Sequence, residues 1–335
     1  MKKYKTTYAL SIAVTSLMLM SCQSFQEAEK GRTYGIRHDK NLIEYEALVT
    51  DKTRDLPDFS SVIFFAYSLD GTDNADLIAS GVLINEQWIL TAGHNFFVAE
   101  EQDKPALASG VKVYVGNNPN EPENIYDVSK IVFHPTWINE EQSYGNANDF
   151  SLVKLSKPIT NITPATLYTD KTEPLGSIVW HAGFGGYSEV FGDNPELDSN
   201  KHAIQNTLDR VQDGLTTSIN GVTYSGGLLA FDFDNPESTS NTLNDAIVNE
   251  EEAFLGKGTS DATPLEYEGT TVTGDSGGPL FVKNPKNNQW QVAGILSGGA
   301  EAPLDNHIDA DYGDISFYTR VSSSYDWIKS VITQP

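Results

Sequence analysis

The chain has 335 residues, 39% of them hydrophobic and 10% aromatic, and its 46 acidic against 22 basic side chains give a formal net charge of −24. This apolar content excludes a disordered chain, and the length allows one large core or two moderate ones. So acidic a surface repels phosphate backbones and anionic headgroups, which argues against a nucleic-acid partner.

The first 21 residues carry Lys2, Lys3 and Lys5 and then an apolar stretch from Tyr8 to Met20. That stretch is too short to span a bilayer as a helix and has the layout of an export signal. Leu19-Met20-Ser21-Cys22 resembles the lipobox of bacterial lipoproteins, which implies lipidation of Cys22 after cleavage at residues 1–21. Cys22 is also the sole cysteine, so no disulfide can form within the chain. With Gln23 rather than aspartate next, the resemblance implies the outer membrane of a Gram-negative envelope, either on its periplasmic side or at the cell surface, with the lipid as the sole membrane contact.

Residues 22–57 are polar, lack a sustained apolar period and read as a tether and lead-in. Apolar runs then follow at short intervals: SVIFFAYSL (61–69), GVLI (81–84), WILTA (88–92), VKVYV (111–115), KIVF (130–133) and FSLVKL (150–155). A second series comprises SIVWHAGF (177–184), GGLLAF (226–231), PLFV (279–282), WQVAGIL (290–296) and ISFYTRV (315–321). Turn residues separate them, and no helical period of any length precedes the last fifteen residues, so the reading is all-β. Residues 186–268, acidic and rich in Asn, Ser, Thr and Gly, read as inserted surface loops. The tail SSSYDWIKSVI has a serine cap candidate and apolar residues at Tyr325, Ile328 and Val331 or Ile332, which predicts one closing helix over 322–332.

The stretch VTGDSGGPLF (272–281) sets Ser276 among glycines and also satisfies G-x-S-x-G. An α/β-hydrolase elbow would require its base downstream and alternating strands and helices. His307 is the sole downstream histidine, and the helices are missing. The other order, base and acid before the serine, is met by His94 in TAGH, directly after a strand, and by Asp149 in NDFSLVKL, directly before one. Singly, each of these would be an ordinary structural residue. His134, His181 and His307 read as turn or packing residues, while His38 and His202 fall in polar segments and carry no role.

Taken together, TAGH, NDFSLVKL, GDSGGPL and the closing YTRVSSSYDWI resemble the trypsin-like (chymotrypsin-fold) serine proteases over about residues 58–331. The resemblance implies two antiparallel six-stranded β-barrels, over about 58–160 and 175–321, with a C-terminal helix. It also implies Ser276 as nucleophile, His94 as general base, Asp149 as its orienting acid, and the N–H groups of Gly274 and Ser276 as oxyanion donors. The expected substrate is a protein or peptide, and no cofactor or metal is expected. By the same resemblance Thr270 falls at the base of the primary pocket with Thr271 beside it. Ser297, Gly299 and Ser316 would form the walls, and Ser297 would also hydrogen-bond Asp149. Trypsins carry an aspartate where Thr270 stands, so cleavage after Lys or Arg is disfavoured and small or medium uncharged side chains are expected.

Some features depart from the family. Asn95 and Val272 stand where vertebrate members have bridged cysteines, so rigidity there must come from packing. Asp275 would ordinarily pair with a freed N-terminal ammonium, but the usual IVGG is missing, leaving Ile36 after cleavage or Arg37 as candidate partners. A catalytically silent binding module built on the same fold, and an esterase using the same serine, are the competing readings.

Overall fold

The computed structural model describes residues 33–71, 75–138, 147–189, 197–244, 255–300 and 309–333. Its first half is a closed barrel of β1 (Val62–Tyr67), β2 (Leu77–Asn85), β3 (Trp88–Thr91), β4 (Val111–Val115), β5 (Asn124–Phe133) and β6 (Ser151–Leu155), in the order β1-β2-β3-β6-β5-β4. The second is a seven-stranded sheet of β7 (Ile178–Gly183), β8 (His202–Thr207), β9 (Arg210–Ile219), β10 (Val222–Asp232), β11 (Pro279–Asn284), β12 (Gln289–Ala300) and β13 (Ile315–Arg320). Its order is β8-β7-β11-β12-β13-β10-β9, and every ladder in both sheets is antiparallel.

The solid apolar run of β1 follows from its place in the molecule. Successive side chains of a strand face opposite ways, so Ile63, Phe65 and Tyr67 fill the barrel interior while Val62, Phe64 and Ala66 join the core shared with the second sheet. Phe64 meets Phe184 edge-on at 5.3 Å across that junction. The same alternation turns Ala79 and Leu83 of β2 inward and leaves Val82 facing the second half. Ser80 shares the parity of Val82, which brings its hydroxyl to the junction.

Local chemistry closes the hairpins. Asn85 Oδ1 accepts from Gln87 N and Trp88 N, both at 2.9 Å, to turn β2 into β3. Asn220 and Gly221, at φ 49° and 79°, form the two-residue corner between β9 and β10 that right-twisted strands favour.

The all-β, chymotrypsin-like architecture is as expected, with three differences of detail. The second half is a seven-stranded sheet rather than a closed six-stranded barrel. Its edge strands β8 and β9 are separated by Leu208 and Asp209 alone, and a side-chain bond from Asn206 Nδ2 to Asp232 O (2.8 Å) links β8 to β10 where a ladder would otherwise close it. Residues 186–268 are not a set of inserted loops, because β8, β9 and β10 lie within them. The polar letters of β9 and of the start of β10 lie on strands with a solvated face, as the alternating exposure from Gly214 to Ile219 shows, whereas His202, Gln205 and Asn206 of β8 are buried.

The lead-in, too, is more than a tether. From Thr33 it packs on the second sheet, with Ile36 fully buried, and it forms helix α1 (Leu42–Leu48), whose Tyr45 and Leu48 face the core three residues apart. Asn41 and Glu44 form its capping box.

Helix α2 (Val321–Ile332) closes the chain, burying Ile328 and Val331 with Tyr325 half-exposed. No serine caps it. Arg320 is the N-cap residue, while Ser322 bonds Glu173 Oε1 and Ser324 bonds Asn148 Oδ1, each at 2.8 Å. Glu173 also grips Arg320 Nε through both oxygens at 2.8 and 2.9 Å, a buried ion pair that fixes where the helix begins. No helix among the described residues is long and apolar enough to cross a membrane. Residues 1–21, Cys22 and His307 lie outside the described residues.

Candidate active site

His94 follows β3 and Asp149 precedes β6, and the ladder pairing Thr91 with Ser151 brings these strand ends together. Asp149 is fully buried, and its carboxylate takes three hydrogen bonds: from His94 N to Oδ1 at 2.8 Å, and from His94 Nδ1 (2.6 Å) and Ser297 Oγ (2.7 Å) to Oδ2. A carboxylate only accepts, so the proton of this contact sits on Nδ1 and the neutral imidazole presents its lone pair at Nε2. The His94 side chain retains 15% exposure, enough for one ring edge to face a substrate.

Ser276 is half-buried on the loop before β11. Its carbonyl accepts from Asn95 Nδ2 (3.1 Å) and from Ser80 N (2.9 Å), so the residue next to His94 holds the backbone of the serine. On its other flank Gly277 N donates to Leu296 O at 3.0 Å, beside the Ser297 that binds Asp149.

The loop itself is a tight set of turns. Asp275 N donates to Val272 O at 3.0 Å and Gly278 N to Asp275 O at 2.7 Å. Among the described residues the N–H groups of Gly274 and Ser276 have no hydrogen-bond acceptor, although those of the intervening and following residues do. Gly274 sits at φ +104°, and a Cβ there would come within 2.7 Å of Phe184 O, so this turn requires glycine. Two backbone donors left free on either side of Asp275 are the kind of groups an anion-binding recess requires.

Asp275 is buried beneath that loop. Gly185 N (2.8 Å) donates to its Oδ1, and Tyr187 OH (2.7 Å) and Val272 N (3.0 Å) donate to Oδ2. His181 Nε2 lies 3.5 Å from Oδ1. Burial pushes the Asp275 carboxyl up, but the imidazole of His181 together with these donors outweighs it and holds the group below the usual carboxylate range. In the uncleaved chain neither Ile36 nor Arg37 reaches Asp275. Ile36 bridges to Gly269 within the chain, and Arg37 pairs with Asp39 at 2.7 Å. His181, read as a packing residue, therefore has an electrostatic part, whereas His134 is buried against Trp327 at 4.7 Å as expected of a packing residue.

The expected pocket residues divide by place. Thr270, Thr271 and Ser316 form one cluster of hydroxyls, with Ser316 Oγ 3.2 Å from Thr270 Oγ1 and 2.8 Å from Thr271 Oγ1, and with Thr271 N donating to it at 3.2 Å. Gly299 pairs with Ser316 across β12 and β13. Ser297 turns its hydroxyl to Asp149. Among the described residues no carboxylate is hydrogen-bonded to this cluster.

Ser80 and Tyr187, which sequence reasoning passed over, and Asn95, which it named only as a departure, also organise the site. Ser80 Oγ donates to Gly274 O and accepts from Phe184 N, each at 2.9 Å. Asn95, where a bridged cysteine stands in vertebrate relatives, substitutes two hydrogen bonds for the disulfide, to Thr91 Oγ1 (3.0 Å) and to Ser276 O. Tyr187 anchors Asp275. The alternation of β2 could have flagged Ser80, but nothing local to the sequence marks Tyr187.

A family model described as Trypsin matches residues 63–328. Haptoglobin of Bos taurus is 26% identical over 262 residues, covering 77% of this chain and 55% of its own length. Haptoglobin of Cervus elaphus is 24% identical over 274 residues, covering 80% of the chain and 58% of its own length, and that of Canis lupus familiaris is 25% identical over 273 residues, with 80% and 70% covered. The chain thus spans a little over half the length of the first two relatives. The match of family model, strand order and loop geometry makes the chain a member of the Trypsin family.

Proposed function

We propose that the chain is a serine endopeptidase with Ser276 as nucleophile, His94 as general base and Asp149 as the group that orients it. The observation carrying this reading is the buried Asp149 carboxylate, whose hydrogen bonds hold His94 by both its ring and its backbone. A fold kept for binding alone has no need of that arrangement.

The steps follow from the atoms present. Ser276 Oγ attacks the peptide carbonyl carbon while His94 Nε2 takes the hydroxyl proton, and Asp149 stabilises the resulting imidazolium. The negative charge that develops on the carbonyl oxygen falls to the N–H groups of Gly274 and Ser276. The C–N bond then breaks as His94 protonates the leaving amine, giving an ester on Ser276. Water, deprotonated by His94, attacks that ester, and the serine is regenerated. The hydroxyl floor of Thr270, Thr271 and Ser316 offers no counter-charge to Lys or Arg, so the preferred side chain is small or medium and uncharged.

The relatives matched above bear no protease name, which favours a second reading, a protease fold kept for binding. Treating the chain with a fluorophosphonate probe and with a mixed peptide library separates the two. Labelling and peptide cleavage, both abolished by Ser276→Ala, support the endopeptidase. Absence of both supports the binding module, and labelling with ester but no peptide turnover supports an esterase. Export and lipidation at Cys22, anchoring the domain to a bacterial envelope, complete the proposal. They rest on the lipobox-like sequence, and mass analysis of the mature N-terminus tests them.

A further inference from the structure

We infer that Glu46, Asp198 and His202 form a binding site for a divalent transition-metal ion of the zinc class, pinning helix α1 to strand β8. Each residue offers one ligand atom, and these atoms all lie within 4.8 Å of one another. The site is remote in the chain from the candidate active-site residues and draws on segments that the sequence reading left without a role.

Glu46 and Asp198 bring two carboxylates within reach of one imidazole, a donor set that a divalent cation can join. The stronger indication is His202. Its side chain is fully buried, neither ring nitrogen has a hydrogen-bond partner, and Nε2 stands 3.7 Å from Glu46 Oε1. A buried imidazole whose neighbouring carboxylate stands beyond hydrogen-bond distance is costly, and a metal bond to both supplies what it lacks. Tyr187 packs on the ring at 5.0 Å and fixes its plane. Asn200 donates to both oxygens of Asp198, from N to Oδ1 at 2.7 Å and from Nδ2 to Oδ2 at 3.2 Å, which orients that carboxylate as an outer-shell partner would.

The donor set selects the ion. Calcium and magnesium take oxygen ligands alone, whereas one imidazole nitrogen with two carboxylate oxygens suits zinc, with water in the fourth position. Tetrahedral bonds of about 2.0–2.2 Å put ligand atoms roughly 3.3–3.6 Å apart, so the Glu46–His202 pair closes with a shift of a few tenths of an ångström, and pairs as wide as 4.8 Å close with a shift of about an ångström. A cavity of about 250 Å³ lined in part by Glu46, Asn200 and Lys201 opens on the Glu46 side of the cluster. The nearby ammonium of Lys201 is committed elsewhere, to Phe59 O at 3.1 Å and over the Phe184 ring.

The test uses the full chain carrying Cys22→Ser, so that no thiol competes, stripped with a chelator and titrated with zinc chloride and cobalt chloride. Glu46→Gln is the leading variant because Glu46 is only half-buried, and its melt without metal checks that it folds. Asp198→Asn is the second. One zinc bound per chain, a rise in melting temperature with zinc, visible absorption of four-coordinate cobalt, and at least a tenfold weaker affinity in both variants are expected. No zinc-dependent heat or thermal shift, or binding that both variants leave unchanged, overturns the site, and a preference for calcium over zinc overturns the assigned class.

Discussion

Tyr187 donates its hydroxyl to Asp275 Oδ2 at 2.7 Å, joining residues 88 positions apart with both side chains sealed from solvent. Asp275 lies between Gly274 and Ser276, so whatever fixes its carboxylate also fixes the direction of the two free N–H groups. In this chain a phenol, an imidazole and two backbone donors fix it from within the folded domain. Tyr187→Phe removes one charge-assisted hydrogen bond and should cost about 1.5–3 kcal/mol of stability. The same variant should lower kcat more than it alters KM, because the recess acts on the transition state. Urea unfolding and peptide kinetics measure the two effects, and a variant as stable and active as the parent would remove Tyr187 from the clamp.

The hydrogen bonds of Asp149 rank the next set of variants. Asp149→Asn keeps the shape but allows the wrong imidazole tautomer, and kcat should fall by about 10⁴-fold. Ser297→Ala removes only one donor from Oδ2, a loss of about 1.5–3 kcal/mol if wholly expressed in the rate, or roughly 10- to 100-fold. If Ser297→Ala proved as damaging as Asp149→Asn, Ser297 would have a larger part than positioning the carboxylate.

These two clusters differ in how far the sequence revealed them. His94, Asp149 and Ser276 stand in short motifs at strand ends, where local pattern and position coincide, so they were legible from the chain alone. The partners of Asp275 were not, because Tyr187 and His181 meet it only through the packing of β7 and its following loop against the nucleophile loop. Strands β8 to β10 were hidden for a different reason. The exposed residues of β9 and β10 include Ser, Thr and Gly, and the buried β8 carries His, Gln and Asn, all of which read as loop, so only cross-strand pairing distinguishes them. Helix α1 has seven residues, about two turns, and is too brief for its period to register.

The buried pair of Glu173 and Arg320 ties the start of α2 to the segment before β7. Replacing one partner leaves a charge buried without its counter-ion, for which about 3–5 kcal/mol is the usual loss. Glu173→Ala should therefore lower the melting temperature on the order of 10 °C. Glu173→Gln, which keeps acceptors for Arg320 Nε and Ser322, should lie between it and the parent. A surface-like loss of under about 0.5 kcal/mol for Glu173→Ala would show the pair to be energetically idle.

Ser316 sits at the centre of the hydroxyl cluster, within 3.2 Å of Thr270 Oγ1 and 2.8 Å of Thr271 Oγ1. Ser316→Gly removes a hydroxymethyl group from the cluster with Thr270 and Thr271, opening space where their hydroxyls can turn to water. Kinetics on a peptide series varied at the residue before the cleaved bond should then shift toward larger apolar side chains, by about 10- to 200-fold per methylene equivalent. Unchanged preference would place the pocket elsewhere.

A group of buried acids makes stability depend on pH. Burial, with repulsion from Asp232 and Glu268, pushes the Asp234 carboxyl up to about 9. Burial pushes Glu268 up to about 8 against the pull of its backbone hydrogen bonds from Leu265 N and Asp234 N. Asp209 and Asp232 are raised in the same way, chiefly by burial. In the unfolded chain such groups titrate near 4. The folded state thus holds more protons between about pH 4 and 9, and stability is fully present below that window and declines as pH rises through it. Asp275, held low, works in the opposite sense, since its contribution is lost as pH falls below the ordinary carboxylate range. The urea midpoint should therefore peak near pH 5 and fall steadily toward pH 9. Raised salt screens the self-repulsion of the −24 surface but not the buried groups, so the decline should survive it. Asp234→Asn together with Glu268→Gln should flatten the alkaline limb. If the midpoint is level from pH 5 to 9 in the parent, these carboxylates are ionised in the fold and solvated in a way the burial of Glu268 at 1% exposure does not permit.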